Sequence, residues 1–340
     1  MEIALFEIEE WEKETFRSLE GDHNVRYSAE PLNAVNAREC TDCEVISTFI
    51  YSNVNGSTLE KLENLRFIAT RSTGVDHIDM GACKERGVQV SNVPSYGKNT
   101  VAEHVFALLS VIAHNMVEAV DRTRKGNFSQ QGLQGFDLYG RTIGIIGTGD
   151  IGQYVARIAN GYGMQVLGFD VKPKSGLDRE LGFEYVGMDD LLASSDIVTL
   201  HVPGGKATED LISHDQFDRM RKGAVLINTA RGSVVNVEAL VRALAEGKLA
   251  AAGLDVLPEE PVVREEAELL RSYFEHRHNL DTLLADHLLL RMRNVVITPH
   301  SAFNTREALQ RILDTTRDSI GSFIDGKALP NLVNGGGFQA

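Results

Sequence analysis

Two open parallel-sheet α/β domains are predicted for this chain, on three observations. Short β-branched runs alternate with helical stretches along its 340 residues. Parallel strands need crossover helices, so this alternation reads as a series of βαβ units. Halfway along, a glycine-rich turn, Gly147-Thr148-Gly149-Asp150-Ile151-Gly152, joins a strand to a helix. The length also matches about two domains at roughly 150 residues each.

In the first hundred residues, strands are expected at 3–7, 45–50, 67–70 and 88–90, with helical patterns at 11–19 and 79–86. Val101, Val105, Leu108, Leu109, Ile112, Met116 and Val120 recur at spacings of three and four, which predicts one long apolar helix. Residues 128–140, rich in Gly and Gln, read as a surface connection. A second series of strands follows at 142–146, 165–170, 197–201, 224–228, 251–256 and 295–298. The charged, helix-prone stretch 262–293 looks like an inserted excursion. A last amphipathic helix, 305–323, is too short for a third domain. It is expected to return to the first, so that 1–100 and 300–340 make one domain and 101–299 the other.

Composition excludes several classes of function. Lys and Arg total 34 against 48 Asp and Glu, a net charge of −14. Such a surface argues against nucleic-acid and anionic-membrane partners. The chain has no uncharged apolar run of membrane-spanning length. Its first residues lack the basic start and apolar core of a signal peptide, so a cytoplasmic setting is expected. Three cysteines, an odd and low number, suggest a reducing compartment. Cys40 and Cys43 form a CxxC that reads as two small residues ending a helix; a redox pair or half a metal site are the alternatives. No second CxxC completes a zinc site, and His276 and His278 lack a convincing third ligand, so no metal is expected.

The glycine turn carries the first chemistry. Gly147 allows the tight turn, Gly149 lets backbone approach a pyrophosphate, and Gly152 lets the helix pack closely on its strand. The helix N-terminus offers free N–H groups and partial positive charge to phosphates. Asp170, 18 residues after Gly152, is placed to accept hydrogen bonds from ribose hydroxyls. A 2′-phosphate there would meet a like charge at about 4 Å, a cost of about 4 kcal/mol at an effective dielectric of 20. NAD is therefore expected over NADP. Lys172 and Lys174 either soften that preference or are solvated loop lysines.

Three segments bring reactive groups to strand ends, where ligands bind in open α/β sheets. They are Asn228-Thr229-Ala230-Arg231-Gly232, Gly253-Leu254-Asp255-Val256-Leu257-Pro258-Glu259-Glu260-Pro261 and Thr298-Pro299-His300-Ser301-Ala302-Phe303. With Thr70 to Asp79, Asn92-Val93-Pro94-Ser95-Tyr96, Val101-Ala102-Glu103-His104, the glycine turn and His201-Val202-Pro203, they give the chain a resemblance that covers nearly its whole length. It resembles the NAD-dependent D-2-hydroxyacid dehydrogenases, and most of all their D-lactate dehydrogenase branch.

That resemblance implies a Rossmann NAD-binding domain inserted in a flavodoxin-like substrate domain, with the active site in the cleft and a homodimer as the usual assembly. It implies Arg231, Glu260 and His300 as the catalytic set. The implied cofactor set is Gly147 to Gly152, Asp170, His201, Val202, Pro203, Thr208, Thr229, Ala230, Asp255 and His300. Thr73 and Gly74 match a loop that holds the substrate carboxylate, and Tyr51, Tyr96 and Phe303 match an aromatic cradle for a small substrate side chain.

The residue types suit reduction of a 2-keto acid. A guanidinium can grip the carboxylate and polarise the carbonyl through paired donors. An imidazolium can protonate the developing alkoxide, and a carboxylate can orient the ring. Pyruvate is favoured. Glyoxylate, hydroxypyruvate and branched 2-keto acids are the alternatives within the family, and a dinucleotide-sensing corepressor is the alternative of another class. The 40-residue gap from Glu260 to His300 resembles the lactate branch. Gly97-Lys98-Asn99 departs from that branch, which has Ser-Pro after the tyrosine. Lys98 either enters the cleft or points to solvent. Glu103 and His104 are read as residues that hold the start of the long helix.

Overall fold

The computed structural model describes residues 1–258 and 280–334. The chain forms two compact units, Met1–Tyr96 with Thr305–Ala340, and Gly97–Asn304. His300, Phe303 and Lys98 therefore stand in the second unit.

The first unit is built on β1 (Glu2–Leu5), β2 (Asn24–Tyr27), β3 (Val45–Thr48), β4 (Phe67–Thr70) and β5 (Gln89–Ser91). All pair in parallel in the order β2-β1-β3-β4-β5, the flavodoxin-like arrangement. Successive side chains of a strand face opposite ways, and both faces of this sheet are covered. Ile3, Leu5, Val45 and Phe67 point to one side, where Leu313 and Ile320 of the helix Arg306–Ile324 pack on them. Ala4, Phe6, Ile46 and Ile68 point to the other, among Cys40, Cys43 and Cys83. The C-terminal helix thus returns to the first unit. The three cysteines are free and buried, and Cys40 closes a short 3₁₀ turn, Asn36–Cys40.

The second unit holds β6 (Thr142–Ile146), β7 (Gln165–Phe169), β8 (Glu184–Tyr185), β9 (Ile197–Leu200), β10 (Ala224–Asn228), β11 (Leu249–Leu254) and β12 (Val295–Ile297). They run parallel in the order β12-β11-β10-β9-β6-β7-β8. The order reverses between β6 and β9, and that switch point opens the crevice in which doubly wound sheets bind ligands. The helix Lys98–Ala113 covers one face, its Val105, Leu108 and Leu109 lying against Ile143, Val225 and Ile227.

Two expectations about elements need correction. The single helix across 101–120 is two, Lys98–Ala113 and Met116–Arg124, bent by 63°. Asn115 makes the bend in a left-handed conformation, φ 50°, which Asn tolerates better than most residues. The apolar stripe ends with the sheet beneath it, and Met116, Val117 and Val120 stand exposed. The edge strands β2 and β8 were not expected either. They are short, and their exposed and half-buried residues carry no continuous apolar run. No single helix among the described residues is long and apolar enough to cross a membrane.

Arg71 is the largest fully buried side chain of the first unit, 2% exposed. Its guanidinium donates to the carbonyls of Phe6 and Glu7 at 2.6 and 2.7 Å and to Ser47 Oγ at 3.1 Å. Burial pushes it down to about 10, so it stays charged at neutral pH. It ties the end of β1 to the residue that starts the Thr73 loop. Arg71→Met leaves those carbonyls unpaired at about 1–3 kcal/mol each. Urea unfolding followed by circular dichroism is expected to show a loss of about 2–4 kcal/mol.

Candidate active site

In the first unit, Thr70 ends a fully buried strand, Arg71 follows it, and the chain turns sharply through Ser72, Thr73 and Gly74. Ser72 Oγ donates to the Gly74 carbonyl at 2.6 Å, Thr73 Oγ1 to the Val93 carbonyl at 2.9 Å and Asn92 Nδ2 to the Thr73 carbonyl at 2.7 Å. The carbonyls are thus tied down. Among the described residues, the backbone N–H groups of Thr73 and Gly74 have no acceptor. Two free donors on a fixed loop suit a carboxylate. Tyr51 is 59% exposed, on a loop whose Phe49 and Tyr51 N–H groups both donate to the Glu7 carboxylate at 2.8 Å. Tyr96 is half-buried, and its carbonyl accepts from Arg311 at 2.6 Å.

The glycine turn in the second unit follows β6 at the switch point. Gly147 has φ +96°, and a Cβ there would lie 2.5 Å from the His201 carbonyl. Both facts demand glycine. A Cβ on Gly152 would lie 2.1 Å from the Gly147 carbonyl, so helix and strand could not approach as they do. A Cβ on Gly149 would meet nothing within 4 Å; the space above the turn is open. Asp170 secures this cradle. Its Oδ2 accepts from Thr148 N at 2.8 Å and Thr148 Oγ1 at 3.0 Å, and its Oδ1 from Lys172 N at 2.9 Å. Burial would raise this carboxyl, but those donors outweigh it and hold the group below the usual carboxylate range. The Thr148 hydroxyl also meets Tyr185 Oη at 2.8 Å, so the unexpected strand β8 supports the turn.

On the other side of the switch point, His201 follows β9 with its Nε2 2.9 Å from Thr199 Oγ1. Burial pushes its imidazole down to about 3, so the ring is neutral at physiological pH. Val202 is half-buried and Pro203 exposed. Thr208 Oγ1 donates to the Pro203 carbonyl at 2.6 Å and closes the loop.

Arg231 and His300 are brought together by register. Asn228 of β10 pairs with Leu254 of β11, and Leu254 pairs with Ile297 of β12. Each of the two residues lies three positions beyond its aligned strand end. Two strand spacings of about 4.8 Å separate those ends by about 10 Å. The Arg231 backbone is held by Asn228 Nδ2 at 3.0 Å. One Nη donates to the Ala230 carbonyl at 2.8 Å, and its other donors have no acceptor among the described residues. A Cβ on Gly204 would come within 2.9 Å of Arg231 Cγ, so Gly204 gives the arginine stem its passage. Thr229 is buried, and its hydroxyl has no hydrogen-bond partner among the described residues.

His300 has φ 50°, a left-handed backbone that is uncommon for a non-glycine residue. Asp255 holds it there. The Asp255 carbonyl accepts from His300 N at 3.0 Å. Its carboxylate, 1% exposed, accepts from Thr298 Oγ1 at 2.5 Å and from the N–H groups of Ser301 and Ala302 at 2.9 Å each. His104 Nε2 lies 3.4 Å from the same carboxylate and 3.0 Å from Thr298 Oγ1. The expectation that His104 only holds its own helix therefore needs correction: it braces the loop that presents His300. Burial would raise Asp255, but His104, Thr298 and the two N–H groups together lower it. Phe303 lies edge-on to the His300 ring. Glu260, His276 and His278 lie outside the described residues.

These features fit a dinucleotide. The open space over Gly149, the orphan hydroxyl of Thr229 and the Asp170-braced turn would hold it, and it would supply hydride chemistry.

Comparison with known proteins follows the same line. Residues 106–302 match the family described as D-isomer specific 2-hydroxyacid dehydrogenase, NAD binding domain. The chain is 35% identical to the 2-hydroxyacid dehydrogenase homolog of Haemophilus influenzae, over 98% of this chain and 99% of that one. It is 36% identical to a glyoxylate reductase of Korarchaeum cryptofilum, over 90% and 87% respectively. It also resembles the crystal structure of a D-lactate dehydrogenase from Aquifex aeolicus complexed with NAD and lactic acid. The TM-score is 0.85 and the identity 34%, covering 98% of this chain and all of that one.

The lowered Asp255 carboxyl has a pH consequence. A group depressed in the folded state contributes stability above its unfolded pKa and loses it as pH falls through the folded value. Asp255→Asn is expected to melt at lower temperature than the wild type at pH 7. The gap should close below about pH 4, where carboxyls begin to protonate, as thermal melts across a pH series would show.

Proposed function

The chain belongs to the D-isomer-specific 2-hydroxyacid dehydrogenase family, and from that premise we propose that it reduces pyruvate to D-lactate with NADH. In this reading the substrate carboxylate is gripped by Arg231 and by the N–H groups of Thr73 and Gly74. Arg231 also polarises the keto oxygen. Bound NADH supplies the hydride that the carbonyl carbon accepts. His300 donates its proton to the developing alkoxide, and in the oxidative direction takes it back. Glu260 is assigned the orientation of that ring.

One observation carries the preference for pyruvate. The Phe303 ring stands 6.4 Å from the His300 ring, centroid to centroid, at 76°. An apolar ring beside the proton donor suits a methyl group better than the bare hydrogen of glyoxylate or the hydroxymethyl of hydroxypyruvate. Tyr51 and Tyr96 are proposed as its companions. The glyoxylate reductase among the relatives favours a second reading, glyoxylate itself. Two copies are proposed to assemble through the second unit, where Met116, Val117 and Val120 are 46%, 60% and 39% exposed. Three free thiols suit a cytoplasmic setting.

A panel of pyruvate, glyoxylate, hydroxypyruvate and branched 2-keto acids with NADH and NADPH tests the reading. Pyruvate with NADH should give the highest kcat/KM; a higher value for glyoxylate moves the assignment to the second reading. Absence of any NADH consumption would leave only a dinucleotide-sensing binding protein. His300→Ala should lower kcat by about 10²–10⁴-fold while calorimetry shows NADH binding retained. Arg231→Lys should also be damaging, because a point charge cannot replace a planar fork.

A further inference from the structure

The sequence left Lys98 two places, the substrate cleft or the solvent, and the structure gives it a third. Lys98 is the first residue of the helix Lys98–Ala113, and Asp150 is the first residue of the helix Asp150–Gly161. The Lys98 Nζ lies 2.6 Å from Asp150 Oδ2. Both belong to the second unit. The side chains are 35% and 55% exposed, and exposed pairs of this kind contribute little stability. The location of the pair is what gives it meaning.

Asp150 lies inside the turn whose glycines leave room for a pyrophosphate. An acid in the first turn favours the helix through its dipole, but it repels a bound dianion. Within the turn itself, Gly147 to Gly152, there is no basic residue to offset it. Gly97 and Gly149 are the N-cap residues of the two helices, and neither helix has a side-chain cap. No capping side chain therefore screens Asp150 from a ligand, and the space over Gly149 is open. Two other lysines, Lys172 and Lys174, follow Asp170. Lys174 lowers the Asp170 carboxyl, and the backbone N–H of Lys172, not its ammonium, bonds to that carboxylate. Lys98 is the cation paired with the first residue of the helix that follows the glycine turn. An ammonium group has three donors on a flexible four-carbon stem. It can keep one donor on Asp150 and offer another to a phosphate oxygen.

We propose that Lys98 is a ligand of the dinucleotide's pyrophosphate, and that its ion pair with Asp150 also offsets the like charge Asp150 would present to the phosphates. The inference rests on the dinucleotide reading of the turn and is independent of which keto acid is reduced.

Calorimetric titration with ADP-ribose, which carries the pyrophosphate but no nicotinamide, tests it on the full chain. Lys98→Ala should weaken both ADP-ribose and NADH by about tenfold or more, and its plot of log Kd against log salt should be flatter than that of the wild type. Lys98→Arg should retain most of the affinity. Asp150→Asn should bind at least as tightly as the wild type, because it removes a like charge and leaves the lysine. Thermal melts should show all three variants folded. The proposal falls if Lys98→Ala binds ADP-ribose within about twofold of wild type, a change too small to assign to a lost charge contact. It falls equally if Asp150→Asn weakens binding as much as Lys98→Ala does, since the pair then only ties two helices together. Full wild-type affinity in a variant carrying both Lys98→Ala and Asp150→Asn would also overturn it, because Lys98 would then serve only to silence Asp150. Lys98-dependent ADP-ribose binding in a chain that reduces no keto acid would sink the function proposed above and leave this inference standing.

Discussion

A carboxylate that is 1% exposed must be satisfied by the protein itself, because water cannot reach it. Asp255 meets that demand with two backbone N–H groups, one hydroxyl and one imidazole. All of them except His104 belong to the five residues that surround His300. The burial of one charge therefore dictates the course of the loop after β12. Had an apolar residue ended β11, the N–H groups of Ser301 and Ala302 would have to find other acceptors. The loop would then have no reason to hold His300 at a positive φ.

The same economy of charge runs through the second unit. At a net −14 the chain repels anions at long range. Local donors, not a basic patch, prepare the places where an anion is expected. The glycine turn uses a helix N-terminus. The Thr73 loop uses free backbone N–H groups, and Arg71 beside it is committed to three internal acceptors. Fixed dipoles of this kind are already oriented before a ligand arrives, and they do not attract anions indiscriminately. Lys98, as proposed above, and Arg231 are the exceptions, the latter a full charge at a strand end. Even there, one of its donors is anchored on the neighbouring carbonyl.

Most of the fold was legible because parallel strands buried on both faces are written as short apolar runs. β4, β6 and β10 lie where those runs lie. β2 and β8 were not legible because an edge strand buries too little to need such a run. The break at Asn115 was hidden because a stripe at helical spacing continues to Val120 whether or not a sheet lies beneath it. The glycine roles could be read from spacing, since each answers a steric demand tied to a turn. The parts played by His104 and Lys98 could not. Each joins residues far apart in the chain, 194 positions for His104 with Thr298. No local pattern encodes such a meeting.

Why the protein keeps a strained histidine follows from the alternatives. A non-glycine residue in an unfavoured backbone region costs about 1–3 kcal/mol. Glycine at position 300 would relieve that strain, at the loss of the imidazole. An extended backbone would keep the imidazole but turn the chain away from the acceptors that Asp255 offers. The observed loop keeps both. His300 N still bonds to the carbonyls of Asp255 and Thr298, at 3.0 and 2.9 Å, so the backbone donor is satisfied despite its conformation. The next two N–H groups bond to a carboxylate, and hydrogen bonds to a charged partner contribute more than neutral ones, about 1.5–3 kcal/mol each. Those two bonds are enough to offset the strain. Arg231 and His300 each follow, by three residues, the end of a parallel strand of one sheet, so strand spacing sets the separation of the ends that present them. Beyond β12 the bonds from Asp255 to Ser301 and Ala302 hold the loop, and such rigidity suits the proton donor His300 is proposed to be, which must meet a developing alkoxide at a fixed place.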